Sequence, residues 1–138
     1  MVVQKDEIRS HIVYVASKIF TRFGFRKTTM EEIAMASRKG KSSIYYYFTS
    51  KEDIFKAVVE KEAEELKRDL QVAISKVEDP GEKLRTFVLF RMNKLSTLTN
   101  FYAALKSEHL GHLEFIENIR KEYDKNEIRI LKSILQTG

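Results

Sequence analysis

Between Thr28 and Lys51 the chain reads TTMEEIAMASRKGKSSIYYYFTSK, two short helical patterns with a brief interruption, and no other stretch so narrows what it can become. Thr29 precedes Met30 and stands three residues before Glu32. At that spacing a hydroxyl caps the helix start while the carboxylate reaches back to the cap's N–H. Met30, Ile33, Ala34 and Ser37 then recur at three and four residues, and the small Ala34 and Ser37 let a second helix approach closely. Arg38, Lys39 and Gly40 break the pattern. Gly40 is expected to supply the positive φ that a tight turn between two helices needs. From Lys41 to Tyr47, Ile44 and either Tyr45 or Phe48 fit a core stripe, leaving Lys41, Ser42, Ser43, Tyr46 and one further tyrosine facing outward. Such donors suit the phosphates and base edges of double-stranded DNA. Helix neighbours are about 100° apart, so Tyr45, Tyr46 and Tyr47 cannot all share that face.

The flanking sequence supports a helical head. A first helix is expected from Lys5 to Phe23, with Ile8, Ile12, Val15, Ala16, Ile19, Phe20 and Phe23 on one face and Gly24 ending it. Ser50 can cap a fourth helix with Asp53 three positions on, and Lys51 in its first turn can reach a phosphate. The stripe Ile54, Phe55, Val58, Val59, Ala63, Leu66, Leu70, Ile74 and Val77 carries that helix to Glu78, where Asp79-Pro80-Gly81 stops it. Its length of about 27 residues spans roughly 40 Å. Beyond Gly81, Leu84, Phe87, Val88, Arg91 and Leu95 form one helical face, followed by a break around Thr97 to Asn100. A short helix with Phe101, Leu105 and Leu110 comes next. Gly111 separates it from a last helix carrying Leu113, Ile116, Ile119, Tyr123, Ile130, Leu131, Ile134 and Leu135. With one Pro and five Gly in 138 residues the fold class is all-α.

Charge is unevenly placed. Residues 1–56 hold 11 Lys and Arg against 6 Asp and Glu, whereas residues 57–138 hold 14 of each, so the whole excess of +5 sits with the two-helix motif. A local basic bias is the footprint of a phosphate-backbone partner. The absence of cysteine removes disulfides, thiolate nucleophiles and cysteine metal sites, and fits a reducing cytoplasm. Apolar runs are short and interrupted by charge, so neither a membrane span nor a signal peptide is expected. His11, His109 and His112 invite a metal, but Gly111 lies between the closest pair and Glu108 or Glu114 would be the only added ligand; surface or pocket-lining roles are the better reading. No phosphate loop, Ser/His/Asp order or apolar carboxylate pair suggests catalysis, and neither an enzyme nor a cofactor is expected.

Phe23-Gly24-Phe25, Thr28-Thr29-Met30, Ile33-Ala34, Lys41-Ser42-Ser43-Ile44-Tyr45-Tyr46-Tyr47-Phe48 and Ser50-Lys51-Glu52-Asp53-Ile54-Phe55 together resemble the DNA-binding domain of the tetracycline-repressor (TetR) family, over residues 8 to 56. The chain departs from that family at the turn, where Ser37-Arg38-Lys39-Gly40 replaces the usual Ala-Gly-Val-Ser. The resemblance implies a three-helix helix-turn-helix head at residues 1–50, joined by a long helix to an effector-binding and dimerisation body at 51–138. It implies DNA contacts from Thr28, Thr29, Arg38, Lys39, Lys41, Ser42, Ser43, Tyr45, Tyr46, Tyr47 and Lys51, the recognition helix entering the major groove of each half of a palindromic operator. It implies a repressor, a homodimer when full length, relieved by a small-molecule effector acting along the fourth helix. Candidates for an effector pocket are Phe87, Phe90, Tyr102, His109, Phe115 and Tyr123. The family pairs two further helices between subunits, and since nothing like them follows the Ile-Leu pair before Gly138, a C-terminally truncated, incomplete body is expected. One alternative from another class stays open: a helical protein-interaction module whose basic face meets an acidic partner or a membrane. Salt and sequence dependence separate the two.

Overall fold

The computed structural model describes residues 2–95, 99–107, 110 and 113–137, with the side chains of 2–5, 95, 99, 102 and 137 set aside. Among the described residues there are helices and no strands: α1 (Val2–Phe23), α2 (Met30–Ser37), α3 (Lys41–Tyr47), α4 (Lys51–Ser75), α5 (Pro80–Leu95), α6 (Thr99–Lys106) and α7 (Glu114–Thr137). They form two compact units, Met1–Val59 and Glu60–Gly138, and α4 runs through the boundary. Tyr102 is placed only as a position on α6, and His109, Gly111 and His112 lie outside the described residues.

In the first unit the expected stripe of α1 is buried through Ile12, Ala16 and Phe20, joined by Val13, while Phe23 at its end is half exposed. Gly24 takes φ +85 and donates its N–H to the Phe20 carbonyl at 2.8 Å, which ends the helix in the left-handed conformation glycine adopts freely. Phe25 in the following loop closes on Phe20 and Phe55, ring centres 5.8 and 4.9 Å away, and Phe20 meets Phe55 edge-on at 5.1 Å. Fully burying a phenylalanine contributes about 1.5–3 kcal/mol, a gain that Phe20 and Phe55 realise while the half-buried Phe25 covers them. Ile33, Ile44, Ile54, Val58 and Val59 complete a core with no exposed surface. At the start of α4 the Ser50 hydroxyl accepts the Asp53 N–H at 3.1 Å, and the Asp53 carboxylate accepts the Thr49 hydroxyl.

In the second unit, Leu70 of α4, Phe87 of α5 and Ile134 of α7 meet, with Ile74, Phe90, Ile130 and Leu131 packed around them. Two boundaries differ from expectation. Helix α4 ends at Ser75 rather than Glu78, and α5 begins at Pro80 rather than Gly81. The Asp79 carboxylate accepts the Glu82 N–H at 3.0 Å, so Asp79 caps the helix and Pro80 occupies the first helical position, where its missing N–H costs nothing. The expected face of α5 is also rotated: Phe87 is buried as expected, but Leu84 and Val88 are exposed and Phe90 packs toward the core in their place. Leu135, expected in the stripe of α7, is exposed as well.

Candidate nucleic-acid interface

The turn between α2 and α3 is built differently from the expectation. At the start of α2 Thr29 is extended (φ −116, ψ 158) and its hydroxyl oxygen accepts the Glu32 N–H at 3.1 Å. The Glu32 carboxylate accepts the Thr29 hydroxyl proton at 3.0 Å, pairing with the side chain of the cap. At its end the left-handed residue is Arg38 (φ 58, ψ 37), and Gly40 has an ordinary extended conformation (φ −66, ψ 156). The Lys39 N–H reaches the Ala34 carbonyl at 3.0 Å and the Arg38 N–H reaches Met35 at 3.2 Å, the paired bonds of a Schellman stop. The reason is position: α2 ends at Ser37, so the residue after it must reverse the chain, and that residue is Arg38. Gly40 becomes the N-cap of α3, without a side chain to bond its first turn.

Helix α3 is fixed by two residues. Ile44 is fully buried, and Phe48, rather than Tyr45, supplies the second inward anchor. The Arg9 guanidinium lies 4.9 Å from the centre of the Phe48 ring, so α1 braces the same anchor from behind. What remains outward is Lys41, Ser42, Tyr45 and Tyr46, with Lys39, Ser43 and Tyr47 half-buried. Tyr46 is 65% exposed and Tyr45 44%. Tyr46 and Tyr47 meet edge to face at 4.9 Å, which holds the two phenols in one arrangement.

Other sequence-chosen residues have structural duties. Thr28 is buried and its hydroxyl donates to the Gly24 carbonyl at 2.8 Å, pinning the α1–α2 loop. The Lys51 ammonium donates to the Phe25 carbonyl at 2.8 Å, lies 3.4 Å from that of Arg26, and stands 4.3 Å from the centre of the Phe25 ring. One participant was missed by sequence reasoning. Glu31 of α2 pairs with Lys41 at 2.8 Å, both side chains more than half exposed. The bond holds the Glu31 carboxyl below the usual carboxylate range and raises the Lys41 ammonium. Glu31 therefore screens one of the expected cations and fixes its position at the start of α3.

In the second unit the aromatic candidates are divided. Phe87 is buried and Phe90 half-buried in the core around Leu70, while Tyr123 packs edge-on against Phe101 at 5.7 Å and Phe115 is half-buried. Two acidic groups that sequence reasoning passed over are enclosed here. Glu127 is 7% exposed, its Oε2 lying 3.2 Å from Arg91 Nε but off the axis of a hydrogen bond, and burial pushes its carboxyl up while Arg91 opposes the rise. Tyr123 bonds to Glu127, and burial pushes its phenol upward. Glu62 accepts the Asn100 N–H at 3.3 Å on Oε1, its Oε2 is buried without a partner, and desolvation pushes its carboxyl up to about 7. Among the described residues no group of three His, Asp or Glu could hold a metal ion, and no helix is long and apolar enough to cross a membrane.

A capped helix, a reversed turn and a short helix presenting cations, hydroxyls and phenols define residues 29–47 as a helix-turn-helix unit. Residues 12–58, the segment that carries this unit, match the model of the tetR family of bacterial regulatory proteins. It is 29% identical over 143 residues to the HTH-type transcriptional repressor NicS of Pseudomonas putida, an alignment covering 98% of this chain and 65% of NicS. The chain thus spans somewhat less than two thirds of that relative's length. Among solved structures, the superantigen PfiT superposes with a TM-score of 0.80 at 20% identity, over 95% of this chain and 72% of that one. AibR, solved in complex with isovaleryl coenzyme A and operator DNA, superposes with a TM-score of 0.72 at 20% identity, over 94% and 71%.

Proposed function

We propose that this chain is a sequence-specific DNA-binding regulator, a repressor whose first unit reads operator DNA and whose second unit belongs to an effector-binding, dimerising body. The observation that carries the reading is the outward face of α3, where Lys41, Ser42, Tyr45 and Tyr46 stand together on a helix locked from within by Ile44 and Phe48. A helix held this rigidly with donors outward fits a major groove, where hydroxyls and cations meet base edges and phosphates. Arg38 and Lys39 in the turn are the phosphate partners of this reading, and the N-terminus of α2 at Thr29 adds oriented N–H groups. Thr28 and Lys51 act through the loop they pin. Relatives give the reading context: NicS is named a transcriptional repressor, and AibR was crystallised with both a coenzyme A thioester and operator DNA.

The test is fluorescence anisotropy with labelled duplexes from the region flanking the chain's own gene, titrated with unlabelled random duplex. A regulator keeps its specific complex in the presence of random DNA, the gap typically amounting to about 4–10 kcal/mol. Equal displacement by any duplex, or no binding, would leave the basic face to a protein partner.

A further inference from the structure

Within the second unit a cavity of about 260 Å3 opens among the end of α4, the first turn of α5 and the C-terminal half of α7. Its apolar wall is Ile74, Ile130 and Ile134, all part of the packed cluster around Leu70 and Phe87. A dry cavity of about 150 Å3 already admits benzene, so this one has room for a longer hydrocarbon segment. The remaining wall is polar, and its members differ in what they can offer. The Ser75 hydroxyl donates to the Val72 carbonyl at 2.7 Å, so toward the cavity it can only accept. Gln71 is neutral. Lys83 brings the single formal charge among the described lining residues, is half-buried, and has no carboxylate within ion-pair distance among the described residues.

An ammonium held beside three isoleucines loses part of its hydration, and a counter-anion restores what burial removes. The geometry points to a binding site for a small amphiphilic carboxylate, its hydrocarbon on Ile74, Ile130 and Ile134 and its carboxylate on the Lys83 ammonium. The headgroup follows from charge: an amine is repelled by Lys83, and an alcohol accepts a bond from the ammonium but brings no opposite charge to pair with it. This deepens the effector-binding reading of the second unit, and it requires no DNA for its test.

Isothermal titration of the unaltered protein with octanoate, octan-1-ol and octylamine, in the absence of DNA, decides it. Octanoate is expected to bind about tenfold more tightly than octanol, the added worth of pairing opposite charges, and octylamine more weakly than either. Lys83→Met is expected to lower octanoate affinity by about tenfold and octanol affinity by clearly less, with helicity checked by circular dichroism. Octanoate binding no tighter than octanol, an octanoate affinity indifferent to Lys83→Met, or no binding at all overturns the assignment. If Lys83→Met fails to fold, the headgroup comparison on the unaltered protein still decides. The anisotropy titration reads the DNA-binding proposal separately, so one can fail without the other.

Discussion

Arg38 holds a left-handed conformation that costs an L-residue about 1–2 kcal/mol relative to the right-handed one, and glycine escapes most of that cost. Two residues on, Gly40 sits where a side chain would help: its φ is ordinary and an added Cβ meets nothing within 4 Å. Arg38→Gly should therefore stabilise the head by about 1 kcal/mol, and Gly40→Ser, by capping α3, by a few tenths. Thermal unfolding checks both, and a lower midpoint for Arg38→Gly would contradict the strain argument. A cost retained at such a position points to use of the side chain. Arg38→Gly is thus also expected to weaken DNA binding and to lower the slope of log affinity against log salt by about 0.9, one phosphate contact. On the outward face, Tyr46→Ala and Lys41→Ala should each weaken specific binding while the circular dichroism spectrum stays that of the parent. Unchanged binding by both would remove α3 from the DNA-reading role.

At the scale of elements, α6 begins against a carboxylate from α4. Glu62 accepts the Asn100 N–H and has a folded-state carboxyl near 7, raised from 4.5 chiefly by burial. A raised acid favours its protonated form in the fold, so its contribution is most favourable below the unfolded value and declines as pH rises from 4.5 through about 7. Glu62→Gln keeps an oxygen for the Asn100 N–H and removes the charge. Denaturant unfolding should therefore find the unaltered protein losing stability relative to Glu62→Gln across that window, with parallel curves counting against a raised carboxyl. Such a pairing could not be read from sequence, because Glu62 and Asn100 are joined only by the packing of two helices. The same holds for Glu31 with Lys41 and for Arg91 with Glu127. Local signals were legible: the Thr29 and Ser50 caps, the Gly24 stop, and Ile44 as the anchor of α3 all follow from neighbours within four residues. The turn was misread by two residues because the reversed position depends on where α2 stops. On α5 the repeat Leu84-Phe87-Val88-Arg91 fits an apolar stripe as well as Lys83-Phe87-Phe90 does, and only packing against α7 chose the second.

For the molecule as a whole, charge separates the two units more sharply than composition does. Residues 1–56 carry the entire excess of +5, and residues 57–138 are balanced. Phosphate contacts release condensed counterions, so each one adds about 0.9 to the salt slope of binding to duplex DNA, wherever in the sequence its cation lies. If the first unit alone meets the backbone, cations should divide by unit and not by their exposure. Arg26 and Lys27, exposed in the α1–α2 loop, belong to the first unit; Arg68 and Lys76, also exposed, belong to the second. Arg26→Ala and Lys27→Ala are expected to lower the slope, each by up to about 0.9, and Arg68→Ala and Lys76→Ala to leave it unchanged. Titrations at four or more salt concentrations give the slopes directly. Equal losses from both pairs would mean that DNA is met by cations of both units, and the head would then be only part of the reading surface.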